Sequence, residues 1–292
     1  LPRVKWLPDS QRLSFQRHSR NQQSLELLIS DIQSADAGTI PSKVLIHDRS
    51  DTWVALHHDL HFLKEQEALL WTTEQSGFRH IYLYDLNGKK IRNITAGEWQ
   101  VDAIESVDET NGWVYFTATE SSPLERQLYR QSLNTETPNR VERITQSPGM
   151  HNVSMDKQGK VFIDSFSNRT QPPQTSLHQN TGERITWLVE NKLDEQHPYS
   201  SYVDAHRPTE FGTLAAVDGQ TLYYRITKPS NFDSRQKYPV FYYVYGGPTS
   251  QTVTNSWDRR ILFEQYMAQQ GFIVFSLDLS LIHIWRCRRW TL

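Results

Sequence analysis

Ala68-Leu-Leu-Trp-Thr-Thr-Glu74, Gly77-Phe-Arg-His-Ile-Tyr-Leu-Tyr-Asp85, Asn87-Gly88 and Lys90-Ile-Arg-Asn-Ile-Thr95 follow one another along the chain. Three short runs rich in β-branched and aromatic residues are separated by turn residues. Asn-Gly between the second and third is a strong hairpin signal, because both residues tolerate the positive φ of a type I′ turn. The unit recurs. Gly112-Trp-Val-Tyr-Phe-Thr-Ala118, Arg126-Gln-Leu-Tyr-Arg-Gln-Ser-Leu133 and Val141-Glu-Arg-Ile-Thr145 form a second copy. Gly159-Lys-Val-Phe-Ile-Asp164 and Gln174-Thr-Ser-Leu-His178 belong to a third, and Gln11-Arg-Leu-Ser-Phe-Gln-Arg17 with Leu25-Glu-Leu-Leu-Ile-Ser-Asp31 to a looser, earlier one. Trp71, Phe116 and Ile163 are spaced by 45 and 47 residues. Repeats of this length, made of four strands, are the mark of β-propeller blades, since one blade cannot cover both of its faces and must stack on neighbours.

Composition agrees. The 292 residues are 37% hydrophobic and 22% charged, as in an ordinary globular chain, and hold nine Trp, 13 Tyr and 12 Phe. A net charge of −2 with scattered Lys and Arg argues against nucleic acid as a partner, which needs a concentrated basic face. No apolar run is long enough for a membrane span. The first residue is Leu1 and no signal peptide is visible, which leaves the compartment unknown.

The texture changes near Asp204. Thr213-Leu-Ala-Ala-Val217, Asp218-Gly219 and Thr221-Leu-Tyr-Tyr-Arg-Ile-Thr227 read as a hairpin with an Asp-Gly turn. Tyr238-Pro-Val-Phe-Tyr-Tyr-Val-Tyr245 is apolar on both faces, which predicts a buried strand ending at Gly246-Gly247-Pro248. Residues Asp258 to Gln270 carry helical spacing: Leu262 and Tyr266 are four apart, as are Phe263 and Met267, with Gly271 where a left-handed C-terminal residue belongs. Phe272-Ile-Val-Phe-Ser-Leu277 predicts a second buried strand. Hairpin, strand, helix and strand open an α/β sheet. After Asp278 the residues Leu279 to Leu292 form a dense Arg/Trp/Cys cluster that resembles a translated sequencing adapter, and they read as a non-native tail. Cys287, the lone cysteine, lies within it, so no disulfide is expected.

Val244-Tyr245-Gly246-Gly247-Pro248-Thr249-Ser250-Gln251 resembles the start of the hydrolase domain in the dipeptidyl peptidase IV branch of the prolyl oligopeptidase family of serine peptidases. Tyr238-Pro-Val-Phe241 before it and Phe275-Ser-Leu-Asp278 after it fit the same place. Gly77-Phe-Arg-His-Ile-Tyr82, Thr95-Ala-Gly-Glu-Trp99 and Glu105 resemble the late propeller blades. The resemblance covers about residues 1 to 278. It implies a mainly β fold: the last blades of a β-propeller over 1–204, then the first strands and helix of an α/β-hydrolase domain over 205–278, with 279–292 outside it. It implies a serine-type exopeptidase that releases N-terminal dipeptides with Pro or Ala second. It implies peptide substrates and no cofactor, and it allows a homodimeric parent.

Within that resemblance Tyr245 takes the place of the family's oxyanion donor. A phenol is a neutral hydrogen-bond donor at working pH, and Gly246, Gly247 and Pro248 shape the turn behind it. No Gly-x-Ser-x-Gly nucleophile elbow occurs in the sequence, and the acid and His of a hydrolase triad follow the Ser in chain order. The catalytic triad is therefore expected to be absent and the chain by itself inactive. Ser250 precedes the helix on the wrong strand for a nucleophile. The family's paired Glu residues, which hold the substrate ammonium, are expected before Leu1, and Val54-Ala-Leu-His-His-Asp59 lacks the Arg that assists some relatives. His57, His58 and His61 invite a zinc reading, but strand-and-loop surroundings favour ordinary loop histidines, so no metal is expected. Asn93, Asn152 and Asn168 are sequons of chance frequency. The alternatives are a propeller used only as a binding scaffold, or another peptidase of the prolyl oligopeptidase family, such as an acylaminoacyl or oligopeptide-cleaving relative; the strand running into Tyr245-Gly-Gly-Pro is what a scaffold does not need.

Overall fold

The computed structural model describes residues 3–34, 40–217, 219–245 and 251–278. Four successive sheets have four strands each, in chain order. The first holds β1 (Val4–Trp6), β2 (Arg12–His18), β3 (Ser24–Asp31) and β4 (Ser42–Arg49). The second holds β5 (Leu60–Leu63), β6 (Ala68–Thr73), β7 (His80–Asp85) and β8 (Lys90–Asn93). The third holds β9 (Val101–Asp108), β10 (Trp113–Ala118), β11 (Gln127–Ser132) and β12 (Glu142–Arg143). The fourth holds β13 (Met150–Met155), β14 (Val161–Ser167), β15 (Gln174–Gln179) and β16 (Arg184–Val189). The recurring units are propeller-type blades, and each has a first strand that hydrophobic runs alone did not reveal.

The second blade shows why these residues make blades. Along a strand, successive side chains point to opposite faces. In β6, Ala68 and Leu70 enter one core while Leu69 and Trp71 enter another. In β7, Ile81 and Leu83 join the first core, and Tyr82 and Tyr84 the second. The first core continues into the third blade through Ile104, Phe116 and Tyr129; the second continues into the first blade through Leu25, Leu27 and Ile46. Both faces of β6 are thus dry, and its six residues are all buried. Trp99, Phe116 and Tyr129 form a stacked series with centroids 6.3 and 6.0 Å apart, and His80 meets Trp99 edge-on at 4.8 Å. The hairpin at Asn87-Gly88 forms, but only Gly88 takes a positive φ (88°), so it is not the type I′ turn with both residues left-handed; the Asp85 carboxylate accepts from the Asn87 and Lys89 amides.

A fifth sheet is mixed. It contains β17 (Thr209–Ala215), β18 (Thr221–Thr227), β19 (Val240–Tyr245) and β20 (Ile273–Asp278), in the order β17-β18-β20-β19. β17 and β18 are the expected hairpin, with Gly219 at φ 81°; Asp218 lies outside the described residues. β18 pairs antiparallel with β20, and β19 pairs parallel with β20 through the crossover helix α1 (Ile261–Gln269). Gly271 is left-handed, as its position predicts.

Two expectations are corrected here. β19 is an edge strand among the described residues: Tyr242 is 66% exposed and Val240 and Val244 are also exposed. Its apolar run pairs with β20 alone. In α1 the spacing is helical, but the buried residues are Ile261, Glu264, Gln265 and Ala268, while Leu262, Phe263 and Tyr266 face outward. Buried arginines from other segments draw Glu264 inward, as described below.

The chain divides into two compact units. One comprises Leu1–Ala118 with Tyr129–Glu142; the other comprises Thr119–Leu128 with Arg143–Ile284, and so holds the fourth blade and the mixed sheet. No helix among the described residues is long and apolar enough to cross a membrane.

Candidate active site

Tyr245 is the last residue of β19, and its register partner on β20 is Asp278. Ligands of open α/β sheets lie beyond the carboxyl ends of the strands, which is where Tyr245 stands. The residue is 41% exposed, which leaves it open to a ligand. Gly246, Gly247, Pro248 and Ser250 lie outside the described residues, as does the 279–292 segment.

Asp278 is fully buried and accepts from the Thr252 and Val253 amides at 2.9 and 2.8 Å and from the Thr252 hydroxyl. Sequence reasoning missed it, since an Asp ending an apolar strand looks like a simple strand terminator.

Behind this end of the sheet lies a buried ionic group. Arg225 of β18 donates to Glu264 at 2.5 Å and to Asp258 at 2.9 Å. Arg169, from the turn after β14, donates to Glu264 at 2.6 Å and to Thr209 at 3.2 Å. Arg260 also lies 3.6 Å from Asp258, so three guanidiniums share two carboxylates, and this pairing offsets the cost of taking the group out of water. Burial, with Arg225 alongside, lowers the Arg169 pKa; the Asp258 carboxyl stays below its ordinary range because both arginines and the Arg260 amide offset its burial. His206 closes the group, stacked on Trp257 and bonded to the Tyr199 hydroxyl at 2.9 Å and to the Arg169 carbonyl at 3.1 Å. Burial lowers its pKa.

In the other unit, the Val54–Asp59 stretch borders a cleft of about 410 Å³ whose lining includes Asp48, Val54, His57, Thr72, Glu74 and Arg79. Burial raises the Glu74 carboxyl to about 7, and the Asp48 carboxyl also rises through burial although Trp71 Nε1 donates to it at 2.8 Å. His57 is buried and is pushed well below its ordinary pKa, first by burial and then by Arg79. Nearby, Glu105 rises to about 7 through burial while the Thr117 hydroxyl donates to it. Titratable groups so perturbed beside a cleft are what functional sites use, although structural networks produce them too.

The three histidines part company. His57 contacts Thr72 and the edge of Trp71, His58 meets Arg3, and burial presses His61 down to about 4. Among the described residues no group of His, Cys, Asp or Glu could hold a metal ion.

Three comparisons bear on this arrangement. The sequence profile of the dipeptidyl peptidase IV (DPP IV) N-terminal region matches residues 1–173. A "probable dipeptidyl-aminopeptidase B" of Aspergillus clavatus is 33% identical over 219 residues, covering 74% of this chain and 23% of that protein. The dipeptidyl-aminopeptidase B of Aspergillus niger is 32% identical over 219 residues, covering 74% of this chain and 24% of that protein. The chain thus spans about a quarter of the length of these curated relatives. The crystal structure of Porphyromonas gingivalis dipeptidyl peptidase 4 superposes with a TM-score of 0.81 at 24% identity, over 94% of this chain and 37% of that one, and so shares its fold. With more than half of its residues matched by that profile, and with propeller-type blades over the matched stretch, the chain belongs to the dipeptidyl peptidase IV N-terminal region family.

Proposed function

We propose that residues 1–278 are part of a serine-type dipeptidyl peptidase, contributing propeller blades over 1–204 and the opening of an α/β-hydrolase domain over 205–278. The observation that carries this reading is a junction: blades of the matched family run into a mixed sheet whose strand β19 ends on Tyr245, opposite Asp278. A binding scaffold has no use for that ending.

In this reading the complete enzyme removes N-terminal dipeptides with Pro or Ala in the second position. A serine attacks the scissile carbonyl, and negative charge develops on its oxygen in the tetrahedral intermediate. The Tyr245 hydroxyl donates a hydrogen bond to that oxygen. A donor held in place before reaction stabilises the transition state more than the ground state, and one such donor is worth roughly 3–4 kcal/mol of barrier. Tyr245 suits the task because a parallel strand pair fixes its backbone while the residue stays exposed.

The test uses the longer protein that contains residues 1–278. It should release chromophore from Gly-Pro and Ala-Pro amides, lose that activity to a serine-directed fluorophosphonate, and ignore the same amides once their amino terminus is acetylated. Equal turnover of the acetylated amides would sink the exopeptidase assignment, and absence of all turnover would favour the scaffold reading.

A further inference from the structure

Tyr245, at the end of β19, and Thr252 meet the same residue. β19 carries Tyr245 to its register partner Asp278 on β20. Where the chain returns, the Thr252 amide lies 2.9 and 3.1 Å from the two oxygens of the Asp278 carboxylate, the Val253 amide donates at 2.8 Å, and the Thr252 hydroxyl donates as well. Asp278, Thr252 and Val253 are all buried, Asp278 and Val253 completely. Two buried backbone N–H groups without acceptors would each cost about 1–3 kcal/mol, so the carboxylate answers a real need of this segment. An apolar residue at 278 could fill the space but could not hold the returning chain.

The returning segment is also seated from its other side. Gln251 Nε2 donates to the Pro123 carbonyl at 2.8 Å, the Asn255 amide donates to the Leu124 carbonyl at 2.9 Å, and Asn255 Nδ2 donates to Glu125 at 3.0 Å. Residues 251–255 therefore form a fixed base, and Asp278 joins that base to the strand end that bears Tyr245.

We infer that Asp278 is a positioning residue for the Tyr245 hydroxyl: it ties the end of β19 and the segment at Thr252 and Val253 to one point and so fixes where the oxyanion donor stands. This rests on the oxyanion reading of Tyr245. Misplacement of about 1 Å can cost a hundredfold in rate, so a residue that never touches substrate can still govern kcat.

The test measures kcat and KM for Ala-Pro amide hydrolysis in the longer protein containing residues 1–278, for Asp278→Asn, Thr252→Val, Tyr245→Phe and the two double variants with Tyr245→Phe. Asp278→Asn keeps the shape but turns an N–H toward one of the amides. It should lower kcat at least about tenfold with KM within about threefold, because the lost contact belongs to the transition state. Thr252→Val, which removes only the hydroxyl donor and keeps the fold should Asp278→Asn not, should lower kcat by a smaller factor in the same direction. In the Tyr245→Phe background neither change should matter beyond about twofold, since nothing remains to be positioned. A parental kcat in Asp278→Asn and Thr252→Val, or an undiminished loss in the Tyr245→Phe background, overturns the inference while leaving Tyr245 in place. A parental kcat in Tyr245→Phe alone overturns the oxyanion reading, and this inference with it.

Discussion

Arg169 and Glu264 meet at 2.6 Å with both side chains only 4% exposed, which ties the turn after β14 to helix α1. Arg225 reaches the other oxygen of the same carboxylate at 2.5 Å. Removing one member of such a group leaves an uncompensated buried charge, which typically costs about 3–5 kcal/mol. Arg169→Leu should therefore lower unfolding stability by that order, and Glu264→Gln, which leaves two guanidiniums facing a neutral amide, by a comparable amount. Urea unfolding followed by Trp fluorescence measures both. A loss under about 1 kcal/mol in either would show the group to be solvated rather than buried.

Gly88 does more than turn a hairpin. Its φ of 88° is strained for any side chain, and an added Cβ would run into the backbone carbonyl oxygen of Leu45 in the first blade. Gly88→Ala should destabilise by about 2 kcal/mol or more, the sum of a left-handed backbone cost and a clash with main chain. Gly77→Ala is the control: φ is 99° there, yet no atom lies within 4 Å of the new Cβ. It should cost only the backbone share. Equal losses at the two sites would remove Leu45 from the account.

Glu74 and Glu105 carry pKa values raised to about 7 by burial. Between about pH 4.5 and 7 each keeps its proton in the folded chain, where the unfolded chain has lost it. Their stabilising contribution is complete below about pH 4.5 and is lost as pH rises through 7, by at most about 3 kcal/mol for each group. His57 works in the opposite sense: its folded pKa lies well below 6.5, so it costs stability as pH falls below 6.5. Glu74→Gln should therefore gain stability relative to the parent at pH 8 and little at pH 4.5. Urea midpoints at half-unit pH intervals check this, and parallel pH curves for parent and variant would contradict it.

The hairpins were the most legible part of the fold. β6, β7 and β8 combine dense apolar runs with Asn87-Gly88, so local signals and tertiary packing agree. The first strands of blades were hard to see because their patterns are interrupted: β9 carries Asp102, Glu105 and Asp108 among its apolar residues, and β5 has four residues behind a histidine loop. For α1 the period was legible but the inward face was not. Arg169 lies 95 residues away in sequence from Glu264, the carboxylate it pulls inward, and no local window contains both. The same holds at the candidate site. Tyr245 stood out through the phrase around it, whereas Asp278 gains its partners only when the return segment at Thr252 folds onto β20.

The 292 residues contain no nucleophile elbow. Purified chain should accordingly give no turnover of Gly-Pro or Ala-Pro amides above background, because an oxyanion donor without its nucleophile and base leaves little catalysis. Turnover abolished by a fluorophosphonate would mean that a serine within these residues had been misjudged.

The most direct test of the central claim is kcat for Tyr245→Phe in the longer protein containing residues 1–278. The change removes one hydroxyl and keeps the ring, so the strand end at β19 and its pairing with Asp278 should persist. A loss of about a hundredfold in kcat, with KM nearly unchanged and an unaltered melting curve, is the predicted result, in line with the removal of other single oxyanion donors. A kcat within about twofold of the parent would contradict it and reduce Tyr245 to the last residue of an edge strand.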